Sequence, residues 1–109
     1  MGINKGRFKI KVMDYTYCFI RKDIPIHAQI IQTAHACLQF DKPKTVNSII
    51  LFEAKNEEHL IKTNEYLQSR GLKTYMFFEP DDDMGYTAIS TEPLRGEDRT
   101  IMSRFRLWT

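Results

Sequence analysis

Long apolar runs are missing from this sequence. No stretch approaches the ~20 residues a helix needs to cross a bilayer, so no membrane partner is expected. Cysteine is scarce: Cys18 and Cys37 are the only two, and neither has a C-x-x-C context. The opening 22 residues lack the apolar core of a secretory signal. The expectation is a cytoplasmic protein with two free thiols rather than a disulfide scaffold. His35 and Cys37 stand two apart on a predicted helix, where side chains do not meet, which argues against a cysteine nucleophile. A Gly-rich phosphate loop and a G-x-S-x-G elbow are also absent. Repeats, low-complexity tracts and linkers are absent too, so residues 1–109 read as a single domain.

What is present fits a globular chain: 42% of residues are hydrophobic, enough for one core, and 28% are charged. The net charge is only +2, but it is unevenly spread. Lys5, Arg7, Lys9, Lys11, Arg21 and Lys22 face the single acid Asp14 in the first 22 residues. Residues 79–83, "EPDDD", carry four acids. The end carries Arg95, Arg99, Arg104 and Arg106 against Glu97 and Asp98. Such basic ends either meet a phosphate backbone or form a solvated surface.

Aromatic and β-branched residues predict a first strand over residues 13–21. Pro25 suits a first helical turn. From Ile26 to about Phe40, Ile30, Ile31, Ala34 and Leu38 recur near a 3.6-residue period and read as an apolar helix face. "DKPK" (41–44) breaks that helix, and "NSIILFEA" is a strand apolar on both faces. Asn56 caps a second helix with Glu57 and Glu58 in its first turn, Leu60, Ile61 and Leu67 inward, and Gly71 at its end. "KTYMFFE" and "YTAISTE" are strands joined by a tight turn, hence antiparallel. A last helix is expected over 95–108, weakened at its start by Gly96. The order β-α-β-α-β-β-α, with right-handed crossovers, predicts an α/β fold. Its expected form is a three-layer α/β/α sandwich on a mixed four-stranded sheet, the fourth strand antiparallel, plus a C-terminal helix.

Two groups of residues carry candidate chemistry. Gln32 and His35 share a helix face, and an imidazole near neutral pH accepts or delivers a proton. A histidine on an apolar helix is equally a packed, satisfied one. His27 lies two turns earlier, too far to share a metal with His35, so no zinc site is read. In "DMGYT", Asp83 and Thr87 would point to one side of an extended strand start, about Gly85, and orient a water. The other reading is a plain acidic turn. "DDD" has no spacing fit for a hard cation. No metal and no cofactor are expected.

Together these pieces resemble the type-2 peptidyl-tRNA hydrolase family. Arg21, Asp23, Gln32, His35 and Ala36 in "RKDIPIHAQIIQTAHACL" are similar to that family's first helix. "IILFEAKNEEHL" resembles its second strand and following helix start. Asp83, Gly85, Thr87 and Ile89 are similar to its Asp-x-Gly-x-Thr-x-Ile signature. The ending "STEP…SRFRLW" resembles the peptidyl-tRNA hydrolase domain-containing branch. The resemblance implies hydrolysis by water, without a metal, of the ester joining a peptide to tRNA. It implies catalytic positions at His35, Asp83 and Thr87, and substrate contacts from Gln32, Lys22, Asp23 and Gly85. It implies tRNA or peptidyl-tRNA as partner and admits a homodimer. Departures stand beside it: Ala28, and Ser48 or Ile49, occupy positions where the family carries lysines, and Ala88 replaces a glutamine. Lysines there would stabilise an oxyanion or hold phosphate. A catalytically silent module binding RNA or protein through the same cleft is therefore the other expectation.

Overall fold

The computed structural model describes residues 13–39 and 46–109. The expected break at 41–44 and the basic residues Lys5, Arg7, Lys9 and Lys11 lie outside them. In chain order the elements are β1 (Met13–Arg21), α1 (Ile26–Cys37), β2 (Val46–Ala54), α2 (Glu57–Ser69), β3 (Thr74–Glu79) and β4 (Gly85–Thr91). A 3-10 turn, Asp81–Asp83, joins β3 to β4, and a 3-10 run, Gly96–Arg104, follows β4.

The four strands form one mixed sheet in the order β2-β1-β4-β3. β1 and β2 are parallel, and β4 runs antiparallel to both β1 and β3. The parallel β1, β2 and β3 expected from the crossovers therefore hold in direction, with β4 inserted between β1 and β3. β1 is central and buries side chains on both faces. Tyr17 and Phe19 join one apolar cluster, with Phe52, Leu60, Leu67, Ile89 and Met102. Ile20 joins another, with Ile24, Ala28, Ala36 and Ala88. The two helices divide between these clusters: α2 supplies Leu60 and Leu67 to the first, α1 supplies Ala28 and Ala36 to the second.

Local chemistry accounts for α2. The Asn56 side chain accepts the His59 N–H at 2.9 Å, satisfying one of the donors the first turn leaves unpaired. Gly71, at φ +85°, takes the left-handed conformation that ends the helix.

Three expectations are corrected. First, α1 turns the other way round. Ala28, Gln29, Gln32 and Ala36 face inward, while Ile26, Ile30, Ile31 and Leu38 are exposed. Small residues let the helix lie close to Ala88, and both buried amides have partners inside the protein. Gln29 donates to the Ile24 carbonyl and accepts from Trp108 Nε1 at 2.7 Å. Second, Cys18 and Cys37 are paired as a disulfide, their Cα atoms 6.9 Å apart, instead of standing as free thiols. The inward face of β1 meets the end of α1 there, a proximity that a separation of 19 residues does not reveal.

Third, the segment after β4 is not an α-helix. Arg95 is extended with no side-chain cap, Gly96 sits at φ +68°, and the 3-10 run stops at an extended Phe105. The chain then pairs with β2: the Glu53 N–H donates to the Arg106 carbonyl and the Trp108 N–H to that of Leu51. Phe105 lies edge-on to Phe19, centroids 4.9 Å apart. Backbone pairing along an edge strand and burial of one aromatic ring compete here with continuing the helix.

Candidate functional site

β3 and β4 do not keep a uniform register. Phe77 pairs with Ala88, but Phe78 pairs with Tyr86, so Thr87 has no partner on β3. Such a bulge re-aims a side chain. Strict alternation would put Thr87 and Ala88 on opposite faces. Here Ala88 packs in the α1 cluster, and the fully buried Thr87 also turns its hydroxyl to α1.

That hydroxyl donates to Gln32 Oε1 at 2.9 Å. Gln32 Nε2 donates onward to Glu79 Oε1 at 3.0 Å. Glu79 Oε2 accepts the Asp81 N–H at 3.2 Å. The amide's orientation follows from its neighbours, since its oxygen faces a hydroxyl and its nitrogen a carboxylate. The hydrogen bond from Gln32, and then the one from Asp81, hold the Glu79 carboxyl below its usual range, with a smaller contribution from the His35 charge. Glu79 is therefore an ionised acceptor at neutral pH. His35 is exposed and lies against Phe77, ring centroids 4.6 Å apart. The site thus gathers Gln32, His35, Thr87 and Glu79. Glu79 was missed by sequence reasoning, which saw only an acid ending a strand before Pro80.

Asp83 lies elsewhere than expected. It ends the 3-10 turn rather than starting the strand, and it is exposed, at φ +54°. Asp82 is also left-handed, at φ +57°, and Gly85 follows at +78°. Aspartate tolerates this region better than most residues, and consecutive cases are a form of strain found at functional turns. Among the described residues no hydrogen bond joins Asp83 to Thr87.

The turn is clamped from below. Arg21 holds both Asp23 oxygens, at 2.8 and 2.9 Å, and donates to the Met84 and Tyr86 carbonyls. The Asp23 hydrogen bond raises the Arg21 pKa and lowers that of Asp23. Glu57 Oε2 accepts the Tyr86 N–H at 2.9 Å and passes so close to Gly85 that a Cβ there would strike it. Asp23 and Gly85, expected as substrate contacts, thus shape the turn.

Lys22 is directed to the chain's last residues. Its Nζ donates to the Thr109 backbone oxygen at 3.1 Å and sits 4.7 Å from the Trp108 ring centroid. Ala28 is packed in the apolar cluster. Two arginines of the C-terminal stretch form ion pairs: Arg95 with Asp14 at 2.6 Å, and Arg106 with Glu53 at 3.3 Å. Among the described residues no group of three or more His, Cys, Asp or Glu is arranged to hold a metal ion, and no helix is long and apolar enough to cross a membrane. No model of a known protein family matches the chain, and no curated protein matches it significantly.

Proposed function

We propose that the chain is a peptidyl-tRNA hydrolase-like protein that cleaves the ester between peptide and tRNA with water, at reduced rate. The observation that carries this reading is the Thr87–Gln32–Glu79 chain beside His35, set up by the bulge at Thr87. In this reading water attacks the ester carbonyl, and the bond from carbonyl carbon to ribose oxygen breaks. The water's proton passes through His35 and returns to the departing ribose hydroxyl. Glu79 and Asp83 are the carboxylates that orient the water, and Thr87 holds Gln32 in place. The reading carries with it the α/β/α layering, to which the division of the core between α1 and α2 lends support. It also carries a cytoplasmic site of action and no cofactor.

A second reading is a silent RNA-binding module. It is favoured by Ala28, which leaves an apolar side chain where a cation would face the developing oxyanion. Losing such a donor costs about 100-fold or more. Release of tRNA from peptidyl-tRNA by the purified protein separates the two. The hydrolase reading expects measurable turnover that falls in both Glu79→Gln and Asp83→Ala. Turnover equal in all three proteins discards this site, and no turnover with salt-sensitive RNA binding selects the module.

A further inference from the structure

α2 presents a line of cationic and aromatic side chains that the site above does not use. His59, Lys62, Tyr66 and Arg70 follow one another at intervals of three or four residues, which keeps them on one side of the helix, and Lys55, just before its N-cap, joins the line at His59. From His59 to Arg70 the line runs ~16 Å at 1.5 Å per residue. Two adjoining depressions lie along it. One, of about 270 Å³, is lined by Lys55, Asn56, Glu58, His59 and Lys62. The other, of about 260 Å³, includes His59, Lys62, Tyr66 and Arg104 in its wall. His59 and Lys62 belong to both, so the depressions form one continuous groove.

The groove is preset for an anion. His59 Nδ1 accepts the Lys55 N–H at 2.9 Å, which leaves the imidazole proton on Nε2 as a donor. The Arg104 guanidinium lies over the Tyr66 ring, 4.1 Å from its centroid, and Arg70 donates to the Tyr66 hydroxyl at 2.9 Å. Those two cations, Arg104 first, hold the Tyr66 phenol below its usual range. Of the acids of α2 nearest the line, Glu58 lines the first depression and Glu65 falls about 90° round the helix. Only Glu58 reaches a cation of the groove, touching Lys62 at 3.4 Å with both side chains largely exposed. A pair of that kind contributes little and yields readily to a competing anion.

We propose that this groove, together with Arg70 beyond it beside Tyr66, binds the phosphate backbone of RNA, with Lys55, Lys62, Arg70 and Arg104 as phosphate contacts. A duplex strand offers a phosphate every ~3.4 Å along its axis, so several fall within the length of the line. This inference rests on the reading of the chain as RNA-directed, but it involves none of the residues proposed for hydrolysis.

The test is tRNA binding by fluorescence anisotropy over a series of salt concentrations. Intact protein is compared with Lys62→Ala/Arg70→Ala, and with Arg106→Ala as a control that removes one cation outside the groove. Both groove side chains are exposed, and circular dichroism verifies that the variants fold. The slope of log affinity against log salt is expected to fall by about 2 in the double variant and to stay unchanged in the control. An unchanged slope in the double variant overturns the groove. So does the absence of tRNA binding together with capture on anionic lipid vesicles. Peptidyl-tRNA turnover measured on the same proteins separates the proposals. A reduced slope without turnover retains the groove and removes the hydrolase; turnover with an unaltered KM and slope in the double variant does the reverse.

Discussion

Thr87 has one proton to donate, and the bulge decides which acceptor receives it. Buried completely, its hydroxyl meets Oε1 of the buried Gln32. Thr87→Val keeps the shape but leaves that amide oxygen buried without a donor, a loss of about 1–3 kcal/mol. Urea denaturation is expected to show it, and Thr87→Ser to recover most of it. A Val variant as stable as the parent would mean that the chain of bonds to Glu79 adds nothing to the fold. Two carboxylates bear on pH. Asp23 and Glu79 both have folded pKa values below their unfolded ones, through Arg21 and Gln32 respectively. Their contribution is complete above the unfolded carboxylate pKa, near 4, and is lost as pH falls through the folded values. Thermal melts are therefore expected to be flat from neutrality to about pH 5 and to decline below it. Asp23→Asn with Glu79→Gln should flatten that decline; an identical acid limb would assign it to other groups.

At the scale of elements, what was legible in the sequence depended on whether a local rule acted alone. α2 is readable because a capping asparagine, two first-turn acids and a closing glycine all act within its own span. β1 is readable from its density of aromatic and branched residues. α1 was legible as a helix but not in its orientation. Its period put the isoleucines inward on the premise that burial is hydrophobic, whereas close approach to Ala88 selects Ala28 and Ala36, and internal partners admit Gln29 and Gln32. The site was half legible. Gln32, His35 and Thr87 could be named, but the register shift that joins them depends on pairing between strands, and Glu79 enters only through it. The segment after β4 was misread because its fate is set by the edge of β2, far off in sequence. Removing residues 105–109 is expected to free that edge. Amide exchange at Glu53 should accelerate and light scattering should rise on concentration, since unpaired edges template association. Unaltered protection at Glu53 would show that the strand needs no cover.

On the scale of the whole molecule, α1 turns an apolar stripe outward. Ile26, Ile30 and Leu38 are 56%, 67% and 71% exposed, on a helix with no Asp, Glu, Lys or Arg. Beside Ile30 lies a hollow of about 280 Å³ floored by Leu51 and Trp108. A face without fixed charge does not repel its own copy, and a two-fold contact sets the same patch against itself. Self-pairing through a few side chains of one helix, well short of the ~800 Å² per partner of a standard interface, is expected to be at most weak and dependent on concentration. Sedimentation velocity is expected to show the average mass rising with loading. Ile30→Glu should abolish that rise, because the pairing would bring two carboxylates together in a desolvated contact. The melting temperature should hardly move, because Ile30 is exposed in the single chain. Parent protein that stays monomeric at every concentration would refute self-pairing, and an Ile30→Glu variant that still associates would place the contact on another face.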